Sequence, residues 1–522
     1  MPAIAVIGAG PRGTGILERL AANHPELGGG PLDVHLIDPY PPGAGRIWRH
    51  AQSPLLAMNS MAADVTMYTD ESVVCEGPIR PGPSFWDWAR EHADPAAFEP
   101  ELAAELRSIT ASSFPSRRLQ SRYLEWVLAD LLAHLPDGVR VHFHRTRAIG
   151  LADDGAAQVV ELEEGAPLRV DAVVLASGHL DATPTDDELA LLEHARQHGL
   201  VYLPPEQTSD SDLSVLVPGE TVLVRGMGLA FIDLLVLLYE GRGGRFEPEG
   251  DGLRYVPSGQ EPYIVAGSPR GMPYHAKTHY DLRGGPPPLP RFLGDAQVGA
   301  FLDAGEPIDL RRQVWPLMAK EIAWGWYHEL FQGHPDRVRL PWAEFAEAFA
   351  AADWDGPEMR ALIEHAVPDP VDRIDLAALH SPLAGVIAPD LDALQPIVRA
   401  KIAEDLRQHV DPAHTPHLGA FVAMLSVYAQ AARIMGSGLL TPRSEAEDVS
   451  WWQGFFNGVA SGPPGFRVRE LLALSEAGFV RFLGAGMAIE AVPEGFRATS
   501  ATLPTAPPVQ ARALVEARLP DP

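Results

Sequence analysis

Apolar residues run almost unbroken from Ala3 to Ile7, stop at Gly8, and return with helical spacing in Ile16-Leu-Glu-Arg-Leu-Ala-Ala22. The pattern predicts a buried strand, a glycine turn and a helix that lays one face on that strand. A second strand, Asp33-Val-His-Leu-Ile-Asp38, closes a β-α-β unit and ends in an acid. The stretch from Ser53 to Asp64 and the Pro- and Gly-rich loops from Gly77 to Pro83 read as irregular. Beyond them Tyr123, Leu124, Val127, Leu128, Leu131 and Leu132 trace one face of a helix, with Arg117, Arg118 and Arg122 at its start. Those arginines are either solvated or paired, or they meet a phosphate or carboxylate. A strand at Val139–His144, a strand pair about Gly155 and an apolar strand from Leu168 to Ala176 follow, the last ending in Ser177-Gly178.

The same order then returns. Thr221-Val-Leu-Val-Arg225 leads into Gly226-Met-Gly228 and the apolar run Phe231 to Leu238, again strand, glycine turn and buried helix, and Pro262 to Arg270 is the next strand. From 286 to 464 the spacing is mostly helical, as in Asp309–Tyr327 and Leu418–Tyr428, with Trp315, Trp324, Trp326, Trp451, Trp452, Phe455 and Phe456 concentrated there. After Arg469 come a helix, a strand at Phe479–Leu483, a segment at Gly495–Leu503 and a final strand at Ala511–Arg518. This repeats the layout of residues 123–176. The last segment therefore completes a second sheet or returns to the first.

Gly8, Gly10 and Gly13, with Pro11 and Arg12 between them, stand where strand passes into helix. In that context the spacing is a dinucleotide fingerprint: a tight turn, close backbone approach to a pyrophosphate, and close packing of helix on strand, with free N–H groups at the helix start. Asp38 suits a ribose hydroxyl. The continuation Asp38-Pro-Tyr-Pro-Pro-Gly-Ala-Gly-Arg-Ile-Trp48 resembles the corresponding stretch of flavoproteins, which favours FAD at the first turn. Trp48, Met58 and Asn59 are then candidate pocket residues, unless 53–64 is an ordinary surface connection. At the second turn Phe231 stands at the third glycine position, so Gly226 and Gly228 form either an NAD(P)H site or a structural copy; the preceding Gly178 turn favours NAD(P)H. The second strand there ends in Ser268 and Arg270 in place of an acid, which favours NADPH over NADH because an arginine pairs with a 2′-phosphate. His275 and Lys277, in the densest titratable segment nearby, are candidates for phosphate or substrate contact.

The expected fold class is α/β: two three-layer Rossmann-like dinucleotide-binding domains with a mostly helical insertion. Residues 1–198 form the FAD-binding domain, 199–285 the first part of the NAD(P)-binding domain, 286–464 the helical substrate or cap region, and 465–522 the return segment. Forty-one basic against 69 acidic residues give a net charge of -28, which repels nucleic acid and anionic membranes and points to a small-molecule substrate. The apolar runs read as too short for a bilayer span and the strand at residue 3 leaves no room for a leader, so the expected location is cytoplasmic. A single cysteine, Cys75, excludes an intramolecular disulfide, hence electron transfer to a protein disulfide, and a cysteine-rich metal site within one chain. No metal is expected. Oligomeric state is not readable from these features.

The Ala176-Ser-Gly178 turn followed by Pro184 resembles the Ala-Thr-Gly-x-x-x-x-Pro element that joins flavin and nicotinamide domains in flavin-dependent monooxygenases. With Gly-Ala-Gly-Pro-Arg-Gly13 and its Leu-Glu-Arg-Leu continuation, the chain resembles the FAD-NAD(P)-binding family, a relative of class B flavin monooxygenases that include amine N-hydroxylases. The resemblance covers residues 1–285. It implies reduction of FAD by NADPH, reaction with molecular oxygen through a C4a-(hydro)peroxyflavin, and hydroxylation of an amine or amino-acid-like substrate. The Phe-x-Gly-x-x-x-His-x-x-x-Trp phrase of Baeyer-Villiger enzymes is absent between the two turns. A flavin dehydrogenase, oxidase or reductase without oxygen insertion is the alternative.

Overall fold

A computed structural model describes residues 1–520, which divide into two compact units, Met1–Pro184 and Thr185–Leu519. The first unit contains β1 (Ala3–Ile7), α1 (Pro11–Asn23), β2 (Leu32–Ile37), α2 (Phe85–Glu91), α3 (Pro100–Ser108), α4 (Arg117–Ala133), β3 (Val139–His144), β4 (Ala148–Asp153), β5 (Gln158–Leu162), β6 (Leu168–Val170) and β7 (Ala172–Leu175). Its parallel sheet has the order β3-β2-β1-β7, and β4-β5-β6 form a separate antiparallel meander. Val6, Leu17, Val34, Leu128 and Leu131 fill the space between sheet and helices, while Ala5, Ile37, Val160, Leu162 and Val170 fill the space between sheet and meander. Alternation along β1 feeds both cores, which makes three layers. Ser116 starts α4 by accepting the Leu119 N–H on its Oγ, and the predicted stripe from Tyr123 to Leu131 is buried.

The second unit opens with α5 (Asp186–His198), β8 (Val201–Leu203), β9 (Thr221–Arg225), α6 (Leu229–Leu238), the hairpin β10 (Arg245–Glu249) and β11 (Gly252–Val256), and β12 (Tyr263–Ser268). Helices α7 (Asp295–Ala304), α8 (Trp315–Gly333), α9 (Trp342–Ala351), α10 (Pro357–Ala366), α11 (Leu376–His380), α12 (Leu391–Val410), α13 (Pro416–Met435), α14 (Val449–Ala460) and α15 (Gly465–Glu476) follow. The chain then adds β13 (Val480–Ala485), the meander β14 (Ala488–Val492), β15 (Gly495–Thr499) and β16 (Val509–Ala511), and β17 (Ala513–Glu516). The parallel sheet has the order β13-β12-β9-β17-β8. The C-terminal strands β13 and β17 pair with β12 and β9. The boundary lies at Pro184/Thr185 and not at 198, because α5, started by a Thr185–Glu188 capping box, leads directly into β8 at the edge of this second sheet.

The segment 286–464 shares the second unit with this sheet. Gln395 on α12 donates to the Phe482 carbonyl and accepts the Phe482 N–H, tying the helix to β13. Glycines let α8 and α13 cross backbone to backbone: a Cβ on Gly325 would stand 2.3 Å from the Gly419 carbonyl oxygen, and one on Gly419 2.4 Å from that of Gly325. By length and composition α13 could cross a membrane, a feature the apolar-run reading passed over; its glycine face packs on α8. Trp324, Trp326, Trp452 and Phe455 are buried in the helical core, so most of the aromatic density is packing.

Gly226 has φ +117°, and a Cβ there would stand 2.5 Å from the Ala517 carbonyl oxygen. Gly226→Ala is expected to destabilise the second unit by about 1–3 kcal/mol. Denaturant unfolding followed by circular dichroism checks this, and an unchanged midpoint would contradict it.

Candidate functional site

Two glycine turns stand at the carboxyl ends of central strands flanked on both sides, the position where open α/β sheets bind ligands. In the first, Gly8 has φ +108° and a Cβ on it would lie 2.3 Å from the Ala176 carbonyl oxygen; one on Gly13 would lie 2.0 Å from that of Gly8. Gly10 faces Gly45 of the next loop, its Cβ position 3.5 Å from the Gly45 Cα and 3.9 Å from the Ala44 carbonyl oxygen, ordinary contacts that leave it uncrowded. Pro11 occupies the first helical position of α1, Arg12 is exposed, and no side chain caps the helix start. This backbone cradle fits a pyrophosphate. Asp38 is aimed at the cradle: its Oδ2 accepts the Ala9 N–H and its Oδ1 the Tyr40 N–H, both at 2.8 Å.

The remaining first-unit candidates scatter around that turn. Trp48 is half-buried against a cluster containing Phe85, Trp88 and Tyr123. Met58 is buried, its N–H donating to the Pro115 carbonyl, and Asn59 is half-buried. Gly178 is exposed with φ +69°, a backbone that favours glycine even with open space around it. Arg122 pairs with Glu99 and Glu125, and Arg118 lies 2.7 Å from His50 Nε2, so these two arginines meet partners of their own unit.

In the second turn Gly226 repeats the geometry of Gly8, with Ala517 in the place of Ala176. Gly228 differs from Gly10, because the Tyr274 ring lies 2.9–3.0 Å from its Cβ position. Ser268 is buried and its Oγ accepts the Gly271 N–H, so it shapes the loop after β12. Arg270 runs from that loop to Gly458 on α14, its guanidinium 5.3 Å from the Tyr274 ring centre. At the ends of β9 and β17, Arg225 and the fully buried Glu516 form an ion pair that the sequence reading did not pick out.

Neither His275 nor Lys277 is a free polar group. Lys277 Nζ donates to the Ala460 carbonyl at the end of α14 and lies over the Phe421 ring. His275 Nδ1 is 2.5 Å from Asp405 Oδ1 and its Nε2 is 2.9 Å from the Leu379 carbonyl oxygen, while the Ala276 N–H donates to Asp405 Oδ2. Both ring nitrogens face oxygens, which describes an imidazolium on a carboxylate. Burial works to lower the His275 pKa, but the charge and hydrogen bond of Asp405 overcome it and the net shift is upward. Burial likewise opposes ionisation of Asp405, and His409 and His275 hold its carboxyl below the usual range. His275, Asp405 and His409 have ligand atoms within 4.8 Å, the spacing of a metal site, yet the doubly donating His275 ring matches an ion pair. This cluster borders a cavity of about 460 Å³ lined by Tyr274, Leu379, Trp326, Lys401 and His417, among others. Burial pushes the His417 pKa well down, so a neutral imidazole faces that cavity.

Fold and turns define a protein of two dinucleotide-binding units. A family model described as FAD-NAD(P)-binding matches residues 5–180. The chain is 35% identical to an L-aspartate N-monooxygenase (nitrosuccinate-forming) from Streptomyces davaonensis, over 99% of this chain and 82% of that protein. It is 34% identical to a nitrosuccinic acid synthase from Aspergillus oryzae, over 99% of this chain and 78% of that one. Among solved structures, NADP+-bound cyclohexanone monooxygenase from Rhodococcus sp. Phi1 is similar at 15% identity and TM-score 0.32, over 99% of this chain and 70% of that one, too distant to bear on the chemistry. The chain belongs to the FAD-NAD(P)-binding family of flavin-dependent monooxygenases, together with these relatives.

Breaking a fully buried ion pair on one side costs about 3–5 kcal/mol; this pair is largely but not fully shielded, so Asp405→Asn is expected to lower thermal stability by somewhat less than that. The raised His275 pKa makes its stabilisation complete below the ordinary imidazole range and lost as pH rises through the raised value; the lowered Asp405 pKa makes its share present above the ordinary carboxylate range and lost in acid. The wild-type advantage over Asp405→Asn, read from melting temperatures between about pH 5 and 9, should therefore be largest on the acidic side of neutrality and shrink in alkali. A pH-independent gap would contradict the ion pair.

Proposed function

We propose that this monooxygenase uses NADPH and molecular oxygen to oxidise the amine nitrogen of L-aspartate. The observation that carries the substrate is the similarity, over 99% of this chain, to two relatives named L-aspartate N-monooxygenase. Support for NADPH comes from Arg270, a guanidinium in place of an acid on the loop that follows β12.

In this reading Gly8, Gly10 and Gly13 bring the α1 backbone N–H groups to the FAD pyrophosphate, and Asp38, oriented by Ala9 and Tyr40, receives the ribose hydroxyl. Trp48, Met58 and Asn59 belong to the wall of that site. Gly226 and Gly228 serve the reductant, with the Tyr274 ring turning away from Gly228 as the dinucleotide arrives. Bound FAD supplies the redox chemistry, taking a hydride from NADPH and delivering electrons to oxygen. His275 and Lys277 act as positioning residues: they fasten the loop carrying Arg270 and Tyr274 to α11, α12 and α14. The substrate is a free small molecule, and the net charge of -28 disfavours nucleic acid and anionic membrane partners. We place the reaction in the cytoplasm.

The test is anaerobic reduction followed by turnover. The purified protein should be yellow and bleach on NADPH faster than on NADH, and on aeration L-aspartate should yield an N-oxygenated product. Bleaching by neither nucleotide would overturn the reading, and bleaching without N-oxygenation of L-aspartate would move the enzyme to another substrate or to a reductase.

A further inference from the structure

Several arginines of this acidic chain face carboxylates: Arg140 meets Asp33, Arg337 meets Asp372, and Arg467 meets Glu470. One face of α14 instead gathers basic side chains around aromatic rings. Trp451, Phe455 and Gly458 recur there at helical spacing. Arg311 stacks 3.3 Å over the Trp451 ring, and His380, at the end of α11, lies edge-on to Trp451 and Phe455 at 5.7 and 5.5 Å. Arg270 fills the notch at Gly458, where a Cβ would stand 1.6 Å from Nη1.

Asp448 acts on Arg311, whereas Arg270 and His380 each keep an unpartnered nitrogen. Arg270 Nη1 and His380 Nδ1 are buried without hydrogen-bond partners among the described residues, although both side chains are only half-buried overall. Asp405, the acid that acts on Arg270, is already held by His275 and the Ala276 N–H. Burial lowers the Arg270 pKa, and burial together with Arg270 and Arg311 lowers that of His380, which keeps the imidazole neutral beside the two guanidiniums. A guanidinium with a buried, unpartnered N–H is unfavourable until an anion arrives, and that anion would also favour a proton on His380. The location suits a ligand: Arg270 follows β12 at the carboxyl edge of the parallel sheet, and its loop also holds Tyr274 against Gly228 and donates the His275 N–H to the Gly458 carbonyl.

We propose that Arg270 and His380, with Arg311 at the outer end, form an oxyanion receptor on this face of α14. It reads the extra anionic group of one of the two small molecules assigned above, the 2′-phosphate of the reductant or the side-chain carboxylate of the acidic amino acid, and so it rests on that reading. Gly458 is part of the receptor because only a missing side chain leaves room for the guanidinium.

Calorimetric binding to the FAD-loaded full chain tests this with two ligand pairs, 2′,5′-ADP against 5′-ADP and L-aspartate against L-asparagine. Arg270→Gln and His380→Gln should each weaken the more anionic member of one pair about tenfold or more, the range of a charge-assisted hydrogen bond, and leave its counterpart unchanged. Loss on 2′,5′-ADP assigns the receptor to the reductant, and loss on L-aspartate assigns it to the substrate. Gly458→Ala should reproduce the Arg270→Gln pattern with the charge still present; if it does not fold, the other two variants decide. Folded, flavin-loaded variants that keep all four affinities overturn the receptor. A wild-type enzyme that fails to bind or oxidise L-aspartate overturns the substrate assignment alone, and the ADP pair still decides the receptor.

Discussion

The whole arrangement depends on a backbone-to-backbone approach that no side chain permits. In each unit the first glycine of the turn sits under the carbonyl of an alanine just past the final strand: Gly8 under Ala176, and Gly226 under Ala517. A Cβ at 2.3 or 2.5 Å from that oxygen would separate the central strand from its neighbour, β7 in one unit and β17 in the other. Because the contact holds, the next helix starts with uncapped N–H groups directed at the space beyond the strand ends. That geometry suits a phosphate-bearing ligand.

The two units spend this common geometry differently. Around the first turn the neighbours are backbone and small residues, with Gly45 opposite Gly10 and Asp38 fixed by two N–H groups. Around the second, side chains crowd in: Tyr274 meets Gly228, Arg270 reaches α14, and the His275–Asp405 pair pins the connecting loop to α12. The helical region is thus the scaffold that holds the post-β12 loop in place, by ion pair, lysine cap and glycine notch. A cavity of about 460 Å³ beside it gives that scaffold an interior lined by titratable groups.

What was legible in the sequence was local. Strand, glycine turn and helix lie within one stretch of chain at each site, and the repeated order of α4, β3, meander and β7 in α15, β13, meander and β17 can be read from spacing alone. The site around the second turn was not legible, because its members come from distant segments. Asp405 stands 130 positions from His275, and nothing in its helical context marks it as a partner. Gly458 reads as an ordinary helix glycine until Arg270 is seen in its place. The division of the compact units at Pro184 is not local either: α5 is sequence-adjacent to the first unit, and only its continuation into β8 assigns it to the second.

The central claim is a division of labour, flavin at the first turn and reductant at the second. Valine at the middle glycine of each turn separates the two most directly, since a side chain there blocks close approach of a pyrophosphate. Gly10→Val should purify folded and colourless, whereas Gly228→Val should purify yellow and stay oxidised when NADPH is added without oxygen. A yellow Gly10→Val protein, or a Gly228→Val protein that bleaches as fast as wild type, would contradict the account.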